Sequence, residues 1–218
     1  MDFTDFTSIL SANGILIDSK QIEIFECYHK ELLYWNDKVN LISRQDVNNI
    51  IEKHFIHSLS ILKYVNIPLG VNCLDIGTGG GFPGLPLKIA RPDIRMLLSD
   101  SIKKKIEVTK IFSNLTQLPY VSCVLGRTED LRNTKKYNKY FDIITSRAVA
   151  KTIELIDWTL PLIKSSGIYI FLKGGDLAEE INQAKKKYNK FIFEVKDIDI
   201  SGCDLLNTGE KKIVIVHK

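Results

Sequence analysis

The stretch Asp75-Ile76-Gly77-Thr78-Gly79-Gly80-Gly81-Phe82-Pro83-Gly84 places five of the chain's 13 glycines within eight residues. It follows an apolar run, Val71 to Ile76, and precedes an apolar helical pattern, Leu85 to Ala90. Glycine costs backbone entropy, so this density requires a reason. Between a strand and a helix, the reason is a ligand whose phosphate, ribose or carboxylate groups lie close to the backbone.

Working outward from this loop, the pattern alternates strand and helix. Ile94–Ser99 reads as a second strand, followed by a helix over 102–114 with Ser101 as its cap. Tyr120–Leu125, Phe141–Ser146 and Ile168–Leu172 read as the third, fourth and fifth strands. A helix after the fourth carries Ile153, Ile156, Leu160 and Ile163 on one face. Another after the fifth turns Leu177, Ile181, Ala184 and Tyr188 inward and Lys185–Lys187 outward. Two further strands, about 191–199 and 212–217, close the chain without a helix between them, as a hairpin adding an antiparallel edge strand. The chain is predicted to be α/β, with a doubly wound, mostly parallel seven-stranded sheet over 67–218. Residues 1–66 read as a helical extension. In it Phe25, Tyr28, Leu32, Trp35 and Val39 form one apolar stripe, a packing face. Val47, Ile50, Ile51, Ile61, Leu62 and Val65 form a second, with Asp46 as an N-cap.

Apolar content of 44% and charged content of 26% fit a globular chain with a sizeable core. No apolar run reaches the ~18 residues that span a bilayer, and the acidic start, Met1-Asp2-Phe3-Thr4-Asp5, does not read as a signal peptide. The four cysteines are dispersed without a C-x-x-C, which argues for a reducing, cytoplasmic setting and against a zinc site. A net charge of +4 permits nucleic-acid binding without requiring it. Lysines cluster at 103–105, at 135, 136 and 139, and at 185–187 and 190. Each cluster reads as a solvated face unless it shares a surface with the glycine loop.

In a doubly wound sheet the ligand lies at the carboxyl ends of the strands. Gly77, Gly79 and Gly81 follow strand one, Asp100 strand two, Thr128 and Glu129 strand three, Arg147 strand four, and Lys173, Gly174 and Gly175 strand five. Asp100, 23 residues beyond Gly77, is placed to accept hydrogen bonds from ribose hydroxyls, or to cap a helix together with Ser101. Thr128, Glu129 and Asp130 read by themselves as an N-cap with an acidic first turn. The loop is G-x-G-x-G, where a dinucleotide fold requires G-x-G-x-x-G, and Asp75 would repel a pyrophosphate. A ligand bearing an ammonium or sulfonium charge suits it better, which favours S-adenosylmethionine over a nicotinamide cofactor. His54 lies on an apolar helix face and reads as a partly buried histidine or an RNA contact. With His57 it has metal-pair spacing, but no Cys or acidic cluster supports a metal site.

The run from Asp75 through Phe82-Pro83-Gly84-Leu85-Pro86 resembles the signature of the ribosomal RNA small subunit methyltransferase G family, also called glucose-inhibited division protein B. The resemblance extends to Trp35-Asn36 with Asn40-Leu41, His54 with Ser58, Leu98-Ser99-Asp100-Ser101, Ser146-Arg147-Ala148-Val149-Ala150 and Phe171-Leu172-Lys173-Gly174. It implies a class I, Rossmann-like methyltransferase that uses S-adenosyl-L-methionine to methylate N7 of one guanine in 16S ribosomal RNA, free or in the 30S subunit. It also implies cofactor positions at Gly77, Phe82, Thr128, Glu129 and Arg147. Guanine N7 bears no proton, so no general base is required. Arg147, Lys173 and His54 are the candidates for orienting the base. The chain departs from the family pattern at Gly80, where the family has Pro, and at His57, where it has Asp. A nicotinamide-dependent oxidoreductase and a non-catalytic RNA-binding ribosome-assembly protein are the alternatives. A monomer without membrane association is expected.

Overall fold

A computed structural model describes residues 1–218. The N-terminal helices are α1 (Phe3–Ala12) and α2 (Ser19–Asn36). They are followed by a 3-10 segment (Arg44–Asn49), a π-helical turn (Ile51–Ile56), α3 (His57–Leu59) and α4 (Ile61–Tyr64). Then come β1 (Asn72–Ile76), α5 (Gly84–Ala90), β2 (Arg95–Asp100), α6 (Lys103–Leu115), β3 (Val121–Leu125) and α7 (Thr128–Leu131). After a short 3-10 turn (Lys135–Tyr137) follow β4 (Phe141–Arg147), α8 (Thr152–Thr159), β5 (Ile163–Gly174), α9 (Ala178–Lys187), β6 (Ile192–Asp197) and β7 (Lys211–His217).

The seven strands form one sheet in the order β3-β2-β1-β4-β5-β7-β6, parallel except for β7, which runs antiparallel to both neighbours. The antiparallel strand is therefore inside the sheet, and β6 forms the edge. The burial pattern explains this correction. Ile213 to Val216 are consecutively buried, as in a strand covered on both faces, whereas β6 carries Glu194, Lys196 and Asp197. Side chains of β1 alternate between two cores. Cys73 belongs to the core that also contains residues of α1, α2, α5 and α6, while Leu74 and Ile76 belong to the one that contains residues of α8 and α9. On α8 the inward face is Thr152, Leu155, Ile156 and Thr159, in place of the expected Ile153 stripe, because Ile163 already belongs to β5.

The N-terminal helices share the larger core through Phe6, Phe25, Tyr28 and Phe55, which make edge and tilted ring contacts with one another. The direction of α2 is fixed at both ends. At its start, Asp18 and Gln21 form a capping box, and the Gln21 amide also donates to the Ile89 and Ala90 carbonyls at the end of α5. Further along, the Tyr28 hydroxyl donates to the Gly80 carbonyl. The middle of α2 therefore touches the glycine loop, and Leu32, one turn further on, lies 3.4 Å from where a Cβ on Gly80 would stand. Asp46 is not an N-cap. Ser43 caps the 3-10 segment, and Asp46 pairs with Lys53.

Gly84 sits where α5 starts against β2. A Cβ there would lie 2.4 Å from Leu98 Cδ2 and 2.9 Å from Asp75 Oδ2. Gly84→Ala is expected to cost about 1–3 kcal/mol through overpacking. Urea unfolding monitored by circular dichroism would register this as a lower midpoint with an unchanged slope.

Candidate functional site

Parallel register determines what lies at the carboxyl end of the sheet. Asp75 is opposite Leu98 on one side and Thr145 on the other. Its carboxylate is fully buried. One oxygen accepts from the Thr145 hydroxyl at 2.8 Å and the other from the Gly84 amide at 3.1 Å. Burial pushes its pKa up to about 6 against these donors. Asp75 thus braces the glycine loop from beneath, where the sequence reading sets its carboxylate beside the charge of a ligand.

Above the loop, a cleft of about 250 Å³ lies between the ends of β1, β2, β3 and β4. Chain topology explains its position, since the chain passes from β1 to β2 on one side and returns to β4 on the other, opening a crevice. Of the residues singled out in the sequence, the cleft brings together Gly77, Asp100, Thr128 and Glu129. It also contains Gly126, Arg127, Val149 and Trp158, which sequence reasoning missed. Gly126 and Arg127 were findable, because they are the first residues past β3. Val149 stands in the Ser146–Ala150 motif that carries the resemblance but has no role assigned to it, and Trp158 carries no signal. Gly77 has a φ of +63°, and a Cβ there would lie 2.4 Å from Val149, so only a bare backbone fits.

Both carboxylate oxygens of Asp100 are held by backbone amides. Its Oδ1 accepts from the Ile102 amide at 2.8 Å at the start of α6, and its Oδ2 from the Gly79 amide at 2.9 Å. Ser101 has no capping role. An ionised carboxylate offers about four acceptor sites, so two remain for hydroxyls of a ligand. Thr128 is buried in the first turn of α7, and its side chain caps nothing.

The other candidates lie elsewhere. The Gly79 carbonyl accepts from the Thr109 hydroxyl, and Gly81 packs against Leu85 and Tyr28. Phe82 is buried, stacked on Tyr28 and facing His54. The Arg147 guanidinium lies 4.7 Å from the Phe82 ring centre and donates to the Lys53 carbonyl at 3.1 Å. It also lies 2.7 Å from His54 Nδ1. Arginine can only donate, so His54 Nδ1 accepts and the histidine proton sits on Nε2, 3.8 Å from the Asp46 carboxylate. Lys173 is occupied by Glu180 at 2.6 Å and by the Ala150 carbonyl at 2.6 Å. No cluster of His, Cys, Asp or Glu is arranged to hold a metal ion.

The cleft residues fit S-adenosylmethionine. Gly77 leaves the backbone bare, Asp100 and Glu129 supply carboxylates, and Trp158 offers an aromatic wall, while no cluster of cations marks a pyrophosphate site.

His54 and His57 are buried, and burial together with the charge of Arg147 lowers their pKa values to about 2 and about 3. The unfolded chain takes up protons below about pH 6.5 while the folded chain does not, so their stabilising effect is complete above that pH and is lost as pH falls. Asp75, with its raised pKa, acts in the opposite sense between about pH 4 and 6. His57→Asn should therefore reduce the stability lost between pH 7 and 5.5 by about 1 kcal/mol. Denaturant midpoints of both proteins at the two pH values test this, and equal losses would refute it.

Residues 21–205 match the family described as rRNA small subunit methyltransferase G. The chain is 37% identical over 207 residues to the Ribosomal RNA small subunit methyltransferase G of Lachnoclostridium phytofermentans, covering 91% of this chain and 86% of that protein. It is 38% identical over 209 residues to the protein of that name from Desulfitobacterium hafniense, covering 94% and 84% respectively. Among solved structures, a SAM-dependent methyltransferase from Aquifex aeolicus aligns with a TM-score of 0.58 at 13% identity, over 80% of this chain and 94% of that one. Haemonchus contortus phosphoethanolamine N-methyltransferase 2, in complex with S-adenosyl-L-methionine, aligns with a TM-score of 0.61 at 16% identity, over 88% and 60%. These structures share the class I methyltransferase fold. With a family match that spans the glycine loop, the strand-end residues and the Arg147 segment, the chain belongs to the rRNA small subunit methyltransferase G family.

Proposed function

We propose that this chain transfers the methyl group of S-adenosylmethionine to N7 of a specific guanine in the 16S RNA of the small ribosomal subunit. The observation that carries this reading is the cleft at the ends of β1–β3, where Gly77, Asp100, Thr128 and Glu129 converge inside the segment that matches the family. When bound, the cofactor supplies an electrophilic methyl group on a sulfonium sulfur. Asp100 would accept from its ribose hydroxyls, Gly77 would allow close backbone approach, and Thr128 and Glu129 would hold the adenine end. Gly79 and Gly81 act indirectly by shaping the loop. Phe82 and Arg147 support the loop from the side of the N-terminal helices.

Guanine N7 carries a lone pair and no proton, so taking a methyl group from the sulfonium would require no residue here to remove a proton. The surroundings agree with this economy. His54 is uncharged and committed to Arg147, and Lys173 is committed to Glu180. Catalysis then rests on orienting N7 in line with the methyl carbon. No helix is long and apolar enough to cross a membrane.

Incubating the chain with methyl-labelled S-adenosylmethionine and either 30S subunits or free 16S RNA should yield N7-methylguanine at one position. Tight cofactor binding without transfer to either would favour the non-catalytic assembly role. Asp100→Asn is expected to weaken cofactor binding about tenfold, the loss of one hydrogen bond to a charged group. Calorimetric titration measures this, and an unchanged affinity would remove Asp100 from the ribose site.

A further inference from the structure

The sheet directions sort the basic clusters between two poles. β1 to β5 run parallel, and the cleft lies at their carboxyl ends. α6 starts directly after β2, so Lys103 and Lys104 stand exposed at the cleft rim. Lys135, Lys136 and Lys139 precede β4, and Lys185–Lys187 and Lys190 precede β6, which runs parallel to β5. Both of these clusters therefore lie at the far pole.

The last turn of α2 reaches the same rim from the other side of the glycine loop. Leu32 and Leu41 flank Gly80, and the Asn36 side chain accepts from the Leu41 and Ile42 amides, fixing the turn that leaves the helix. This turn presents Tyr34, 54% exposed, with Trp35 meeting it edge-on at 5.5 Å. Lys38 Nζ lies 3.6 Å from the Tyr34 ring centre. An exposed aromatic ring carrying a cation, at the same pole of the sheet as Lys103 and Lys104, has the composition of a single-strand nucleic-acid platform.

We propose that an unpaired segment of the RNA substrate crosses this rim, with one base stacked on Tyr34 and the flanking phosphates held by Lys38, Lys103 and Lys104. Lys38 leaves the ring as the base arrives and takes a phosphate in exchange. This inference rests on the proposed function, since the cleft defines which rim the RNA must approach, and it commits to RNA because the aromatic and the cations occur together there.

Fluorescence anisotropy with a labelled single-stranded RNA oligonucleotide tests the surface independently of methyl transfer. Tyr34→Ala should weaken binding about tenfold, while Tyr34→Phe, which keeps the ring, should bind as the parent does. Replacing Lys38, Lys103 and Lys104 together by Gln should flatten the dependence of log affinity on log salt by about 2, whereas replacing Lys135, Lys136 and Lys186 should not. Cofactor affinity, measured in parallel, checks that each variant is folded. Unchanged binding by Tyr34→Ala, or an equal effect of the far-pole triple, would overturn the proposal. Binding through Tyr34 by a chain that methylates no small-subunit RNA would sink the function and support the surface.

Discussion

A single buried carboxylate ties the site together. Asp75 lies at zero exposure on β1, accepting from Thr145 across the sheet and from Gly84 at the far end of the glycine loop. Losing either donor would leave a buried acceptor short of a partner, so the loop's end points are fixed by a cost far larger than thermal energy. Between them, the loop's interior is positioned by groups that reach in from outside. Asp100 holds the Gly79 amide, Thr109 the Gly79 carbonyl and Tyr28 the Gly80 carbonyl. The cleft is therefore shaped by α2, α6, β1, β2 and β4 at once. The N-terminal helices are part of its construction because Tyr28 belongs to them.

The same constraint accounts for the second layer of the site. Phe82 packs beneath the loop, and its ring forms the floor on which the Arg147 guanidinium lies. A partly buried guanidinium needs acceptors, and two come from the π-helical turn, the Lys53 carbonyl and His54 Nδ1. The extra residue per turn places Phe55, Ile56 and His57 all inward beside Phe82 and Arg147. Where the family has an aspartate, His57 is buried near Arg147, uncharged, with no partner for Nε2. A carboxylate at that place would balance the guanidinium. Here the balance falls to more distant charges, and burial lowers the Arg147 pKa to about 10 while leaving it protonated at neutral pH.

The strand-end rule made half of the site legible. Gly77, Asp100, Thr128 and Glu129 follow strands whose apolar runs are continuous, so their height in the sheet follows from where each run stops. Phe82 and Arg147 also occupy strand-end or loop positions, yet their side chains turn away from the cleft toward the N-terminal helices. That direction is a property of packing between segments far apart in sequence, and no local pattern contains it. The π-helical turn escaped for a related reason. Residues Ile51 to Ser58 mix apolar side chains with Glu52, Lys53, His54 and His57, so no local period marks the extra residue per turn, whereas in the fold all of them but Lys53 are buried. The interior position of β7 was readable from its uninterrupted Ile213-Val214-Ile215-Val216 run, which an edge strand would not carry.

Gly80 shows how the loop tolerates sequence change. Its carbonyl is held by Tyr28, but its amide makes no internal hydrogen bond, and its φ is not among the positive values that distinguish Gly77, Gly79 and Gly81. A proline, as the family pattern has, forfeits no bonded donor here, and no left-handed φ stands against it. It would stiffen the loop against Leu32 and Leu41, whose side chains lie 3.4 Å and 3.3 Å from a Cβ at this position. The glycine at 80 therefore leaves the contact between the loop and the end of α2 looser than proline would. That contact joins the cofactor loop to the turn presenting Tyr34 and Lys38, so in this chain rigidity at the junction must come from the Asn36 side chain and the Tyr28 hydroxyl.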